Sequence, residues 1–190
     1  MLQHAFKEWA IICKVLALGK QALILRKGGI AENGGDFAIK HTRFWLFPTY
    51  AHQQRDGIQP EAGPLLAEAL AEKPPSGIVR LSHFAEISGA YHVHALTPAL
   101  LLAHLHLWSE DTVRKRFEYR APGIYVLPVR VYRAREIHEL PDNAHYQGCK
   151  SWVELDQALP TEGAIPVLSE NDMEDLHRQL DLLLNPSALV

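Results

Sequence analysis

Residues 24–30 read ILRKGGI, so an apolar run delivers two cations, Arg26 and Lys27, onto a glycine pair. Successive strand residues point to opposite faces, so the two share a patch only if the strand has already ended. The glycines permit a turn that exposes backbone N–H groups, which would make a small anion-binding nest beside two positive charges. The spacing is neither that of a Walker loop nor that of a dinucleotide fingerprint, and a plain basic hairpin end accounts for the same residues. A second concentration follows in FWLFPTYAHQQR, where Thr49, Tyr50, His52, Gln53 and Arg55 crowd beyond an aromatic run. Stacking surfaces beside hydrogen-bonding groups suit a nucleobase or single-stranded nucleic acid. The competing reading makes Phe44, Trp45 and Phe47 core, with the polar residues as a cap.

Other cations stand out by context. Arg130 and Arg133 emerge from the apolar run GIYVLPVRVYRAR, where a cation requires a carboxylate, carbonyl groups or a ligand phosphate. Glu86 and Glu154 are the expected internal partners. Lys150, within YQGCKSWVEL, is the only cation between Glu136 and Arg178. Arg114, Lys115, Arg116 and Arg120 fan out around a helix, so a solvated face is expected there.

Metal and nucleophile chemistry have weaker support. His92 and His94 share a strand face, whereas His104 and His106 diverge on a helix. No HExxH or finger spacing is present, so no metal site and no cofactor are expected. Cys149, Lys150 and Ser151 form a run that lacks an adjacent base. The enzyme alternative is a metal-dependent nuclease or phosphoesterase using Asp36, Glu8 or Glu154 with Lys40 or Lys150, although the usual Asp…Glu-x-Lys order is not legible. A third alternative is a protein–protein interaction module built on the acidic C-terminal helix or an apolar patch.

The elements that must position these groups follow from periodicity and caps. Phe6, Trp9, Ala10, Cys13 and Ala17 predict an amphipathic helix over about residues 3–18, ended by Gly19. Strands follow at QALILRKGG, DFAIKH and RFWLFP, with a turn at AENGGD between the first two. GPLLAEALAEK predicts a short helix before the break Pro74-Pro75-Ser76-Gly77. GIVRLSHFAEISGAYHVHAL predicts a long strand broken at Ser88-Gly89. Thr97-Pro98 predicts a helix start, and Ser109 with Glu110 and Asp111 a second. GIYVLPVRVYRAR is a strand, SWVEL a strand or short helix, and AIPVLS a short strand. A capping box of Ser169 and Asp172 opens a helix over about 170–184. Short strands with inserted helices make this α+β, with a curved mixed or mostly antiparallel sheet and N-terminal, inserted and C-terminal helices. One domain over 1–190 is expected, with a candidate internal break at 73–77.

Net charge is −3 over 190 residues, and it is unevenly distributed. Residues 14–55 carry seven basic and two acidic side chains, 113–135 carry seven and one, and 136–190 carry two and eleven. This segregation predicts a basic face for an anionic partner, or two halves that attract each other. Two cysteines, far apart, fit a reducing cytoplasm. His4, Lys7, Glu8 and Lys14 interrupt the N-terminal apolar run, so no membrane partner and a cytoplasmic location are expected.

Taken together, FKEWAIICKVLALGKQALILRKGGI, FWLFPTYAHQ, LHLWSEDTVRKRF, GIYVLPVRVYR and YQGCKSWVEL resemble bacterial proteins grouped as domain of unknown function 1802. That resemblance spans nearly the whole chain and implies one intact domain, with no activity or catalytic residue to carry over. The long strand IVRLSHFAEISGAYHVHALTP, the helices after it and the return strand YVLPVRVYR are also similar to PUA-like and ASCH-like barrels. This second likeness implies a partial barrel and, by analogy, binding of RNA or modified bases. The expectation is therefore a domain that binds nucleic acid (RNA or single-stranded DNA) or a nucleotide in a basic cleft. Its candidate contacts are Arg26, Lys27, Thr49, Tyr50, His52, Gln53, Arg130 and Lys150.

Overall fold

The computed structural model describes residues 1–27, 41–51, 53–148 and 150–184. The strands are β1 (Leu2–Trp9), β2 (Leu23–Arg26), β3 (Arg43–Thr49), β4 (Ile78–Ile87), β5 (Tyr91–Val93), β6 (Ile124–Pro141), β7 (Trp152–Leu159) and β8 (Ile165–Pro166). The helices are α1 (Ala10–Ala17), α2 (Gly63–Ala71), α3 (Leu96–Leu101), α4 (Glu110–Glu118) and α5 (Glu170–Leu184). Among the described residues one sheet runs in the order β2-β6-β4-β3-β1-β7, with β5 and β8 also pairing β6. β1 and β3 are parallel and the other ladders antiparallel, so the fold is α+β with a mixed sheet.

The N-terminal helix expected over 3–18 is half strand. Leu2–Trp9 is β1, and only Ala10–Ala17 is helical. Phe6 and Trp9 fit a helical period, but residues 2–9 lie between β3 and β7, and both ladders claim their backbone groups. Tertiary pairing overrides a weak local pattern over so short a run. The end of the helix is as expected: Gly19 adopts φ +66°, and the N–H groups of Gly19 and Lys20 return to the carbonyls of Leu16 and Val15.

The other elements follow their chemistry. Ser109 accepts from the Thr112 N–H and caps α4, and Ser169 and Asp172 exchange reciprocal bonds at the start of α5. Helix α3 begins at Leu96, after Ala95, so Thr97 is not its cap. The strand expected at 36–41 lies, apart from His41, outside the described residues.

The core occupies both faces of the sheet. Along β3, Phe44 and Leu46 join one apolar cluster, while Trp45 and Phe47 join the other. The aromatic run is therefore core, as one of its two readings held. β6 is the spine: its first half is buried almost continuously from Ile124 to Val129, and its second half turns polar. The outer strands of the path, β2 and β7, are linked by a side chain, since Arg26 donates to the Ser151 hydroxyl just before β7. Among the described residues no helix is long and apolar enough to cross a membrane.

Candidate anion-binding cleft

The parallel pair β1/β3 ends at one place, with Lys7 opposite Phe47 and Trp9 opposite Thr49. Beyond those ends opens a cavity of about 670 Å3. The end of β2 supplies Arg26, helix α4 supplies Arg116, the loop before β7 supplies Lys150, and the connection between α2 and β4 supplies Lys73. With Lys7 and Arg80, six basic side chains line it against two acidic ones, Glu8 and Asp142.

These cations are held to different degrees. Lys7 donates to the carbonyls of Tyr146 at 2.5 Å and Gly148 at 2.9 Å. Arg80 forms an ion pair with Glu139 at 2.7 Å. Arg26 lies over the Phe6 ring at 4.8 Å and has a hydroxyl, not a carboxylate, as its hydrogen-bond partner. Lys73 sits 5.4 Å above the Tyr50 ring, and Lys150 is exposed, with no hydrogen-bond or ion-pair partner among the described residues.

Arg116 is the residue that sequence reasoning missed. Arg114 and Lys115 do form the solvated face expected, paired with Glu110 and Asp111 one turn back. Arg116 turns inward from the same helix. Its guanidinium lies 3.6 Å from the Trp108 ring centre and donates to the Leu25 carbonyl at 3.2 Å. Burial pushes its pKa down to about 10, only partly offset by the Glu8 charge and reinforced by Arg26. The available signal was Val113 and Phe117, which form the buried stripe of α4 and bring residue 116 beside it.

Glu8 is 4% exposed. One carboxylate oxygen accepts from the Trp9 N–H at 2.9 Å, and the other has no hydrogen-bond partner. It tempers a positive field without forming an ion pair among the described residues.

Four of the expected contacts, Arg26, Thr49, Tyr50 and Lys150, line this cavity. Thr49 donates to the Glu8 carbonyl at 3.0 Å, and burial raises the Tyr50 phenol. Lys27, Gln53 and Arg130 lie elsewhere. Lys27 points away from Arg26, as strand alternation requires. Its ammonium caps the end of α4, donating to the carbonyls of Phe117 at 2.7 Å, Gly123 at 2.8 Å and Ala121. Gln53 accepts from the Ile11 N–H at 3.0 Å and so caps α1 from another segment. Arg130 is paired with Glu170 at 2.6 Å, not with Glu86 or Glu154 as the sequence suggested. Glu86 instead holds Arg43 at 2.9 Å. His52 and the pair Gly28-Gly29 lie outside the described residues.

Of the residues named for a nuclease, Glu8 and Lys150 line the cavity, Glu154 is exposed on β7, and Asp36 and Lys40 lie outside the described residues. Among the described residues no group of three His, Cys, Asp or Glu side chains could hold a metal ion. The His92 and His94 rings do meet, tilted with centres 3.8 Å apart, without a third ligand among those residues.

A second, smaller cavity of about 360 Å3 lies beside the first, and Trp9 and Arg116 line both.

Comparison with known proteins places the chain in a family. No curated protein matches the chain. The crystal structure of an ASCH protein from Zymomonas mobilis is similar at 14% identity, covering 92% of this chain and 93% of that one, with a TM-score of 0.46. A serine-to-alanine mutant of the same protein gives 13% identity, 93% and 94% coverage and a TM-score of 0.46. Residues 5–179 match the family described as domain of unknown function (DUF1802), and the chain belongs to that family.

Proposed function

We propose that this protein binds single-stranded nucleic acid or a nucleotide in the cleft at the ends of β1 and β3. The observation that carries the reading is the excess of six basic over two acidic side chains around one cavity, with Tyr50 on its wall. Arg26, Arg116, Lys73 and Lys150 have no ion-pair partner among the described residues, so their charge is not neutralised from within. An anion entering the cleft regains Coulomb energy that the protein forgoes when empty, and a planar base finds an aromatic face beside it. The Ser151 hydroxyl, which accepts from Arg26, can still donate, and the Thr49 hydroxyl, whose proton goes to the Glu8 carbonyl, can still accept.

The test is titration of the protein with a mixed pool of short single-stranded oligonucleotides at low and at raised salt. Binding at low salt that weakens steeply as salt is added is the expected result, because phosphate contacts release counterions. The double variant Arg26→Gln, Lys150→Gln should lose most of that binding while melting at nearly the wild-type temperature. No binding at low salt, or binding untouched by the double variant, overturns the proposal.

A further inference from the structure

We infer that the bound strand continues from the basic cleft over Trp9 and Arg116 into the second cavity, which takes a base, so that the ligand is an oligonucleotide and not a mononucleotide. This rests on the function proposed above and extends it.

The two cavities differ in kind. The first is rich in cations without acidic partners. In the second, Lys115 is paired with Asp111 at 2.6 Å, the Lys27 ammonium is held by backbone carbonyls of the α4 C-terminal end, and Asp56 adds a further acid. Neither Lys27 nor Arg116 has an ion pair among the described residues, but the three donors of the Lys27 ammonium are taken by carbonyls, so Arg116, at the boundary with the first cavity, is the cation of that wall with donors to offer. A phosphate is therefore favoured in the first cavity and at the boundary, and an uncharged group in the second.

The second cavity's walls suit a flat, uncharged ring. Tyr119, at the end of α4, is 57% exposed, an uncommon state for a large aromatic. Trp9 meets Trp108 edge-to-face at 4.8 Å, which fixes its ring as the floor between the cavities. Gly57 lies so close to that ring that an added Cβ would come within 2.6 Å of it, so the floor is packed from behind. Gln54 is exposed on the rim and offers both an amide donor and a carbonyl acceptor to a base edge. Arg116 is held over Trp108 and donates to the Leu25 carbonyl, so its remaining donors are already oriented for a phosphate between two bases. Alternating cation and aromatic positions along a continuous path are what a single strand requires and what a mononucleotide cannot use.

The experiment is calorimetric titration of the wild-type protein with adenosine monophosphate and with oligoadenylates of increasing length, in ribose and deoxyribose forms. Affinity should rise by about tenfold or more from monophosphate to short oligomer and then level off, in keeping with one added base stack. Tyr119→Ala should reduce the oligomer's affinity about tenfold, towards that of the monophosphate, whereas Tyr119→Phe should retain it. Equal affinities at every length, or an oligomer indifferent to Tyr119→Ala, overturn the inference and leave the cleft reading standing. Failure of every adenylate to bind at low salt overturns both. A difference between the ribose and deoxyribose series identifies which strand the site prefers.

Discussion

Arg116 and Arg130 are both partly buried arginines lying against an aromatic ring, and they are held in opposite ways. Arg130 lies 5.9 Å from the Tyr132 ring and is paired with Glu170 at 2.6 Å, a contact that raises its already high pKa. Arg116 lies 3.6 Å from the Trp108 ring, and burial outweighs the help it receives from Glu8. One charge is answered by an acid from the same chain, across the divide between the basic and acidic segments. The other is answered by a ring face and a carbonyl. A cation that already has its carboxylate gains little from an added anion, whereas one without it gains much. The position of a carboxylate, not the density of lysine and arginine along the chain, separates a scaffold cation from a candidate contact.

The largest expected effect concerns His106, whose protonation the Arg116 charge opposes. His106 is 3% exposed, and its Nδ1 accepts from the Trp108 N–H at 3.2 Å, which requires a neutral ring. Burial first, and then the charge of Arg116, push its pKa from 6.5 down to about 4. Above pH 6.5 the imidazole is neutral in both folded and unfolded chains. Between that value and about pH 4 the unfolded chain takes up a proton that the folded one refuses, so stability falls as the pH drops. The full shift corresponds to about 3 kcal/mol. His83, lowered to about 4 by burial and then Arg133, adds a similar trend. Denaturant unfolding across this pH range should therefore show a steep loss, and His106→Asn should flatten part of it. An unchanged slope in that variant would show that His106 is not held neutral in the folded chain.

The comparison itself is tested by exchanging the two arginines' fates. Arg116→Gln should weaken oligonucleotide binding about 10- to 100-fold, the range for losing a hydrogen bond to a charged group. Arg130→Gln should leave binding unchanged and lower the melting temperature slightly, because Glu170 is solvent-exposed. Equal losses in the two variants would erase the distinction between them.

Much of this architecture was legible in the chain. The α+β class, the long strand from Ile124, the capping box at Ser169 and the break at Ser88 all follow from local patterns. The strand Leu2–Trp9 was not legible, because its identity comes from two partners remote in sequence, β3 and β7. The site was legible in half. Arg26 and Thr49, which end β2 and β3, Tyr50 just after β3, and Lys150 in the loop before β7 all line the candidate cleft. Lys27 illustrates what the sequence withholds: adjacent to Arg26, it faces the other way and caps α4. Arg116 was hidden within a charged run whose other members are exposed. Which member of such a run turns inward depends on where Trp108 lies, and that is a tertiary fact.

The smallest effect is expected at Lys150, which is exposed on the rim of the cleft and makes no contact that its removal would break among the described residues. Its contribution is Coulombic and should appear in salt dependence before it appears in affinity. Each phosphate contact on a single strand contributes about 0.7 to the slope of log K against log salt. Lys150→Gln should lower that slope by about this amount and change affinity only modestly at moderate salt. Arg130→Gln should leave the slope where it was, since its charge is already matched by Glu170. The pair of slopes, measured by fluorescence anisotropy over a salt series, separates the two classes of cation without relying on any change in stability. If removing the paired arginine lowers the slope and removing the unpaired lysine does not, the strand runs over α5 and β6, and the cleft is not where its phosphates lie.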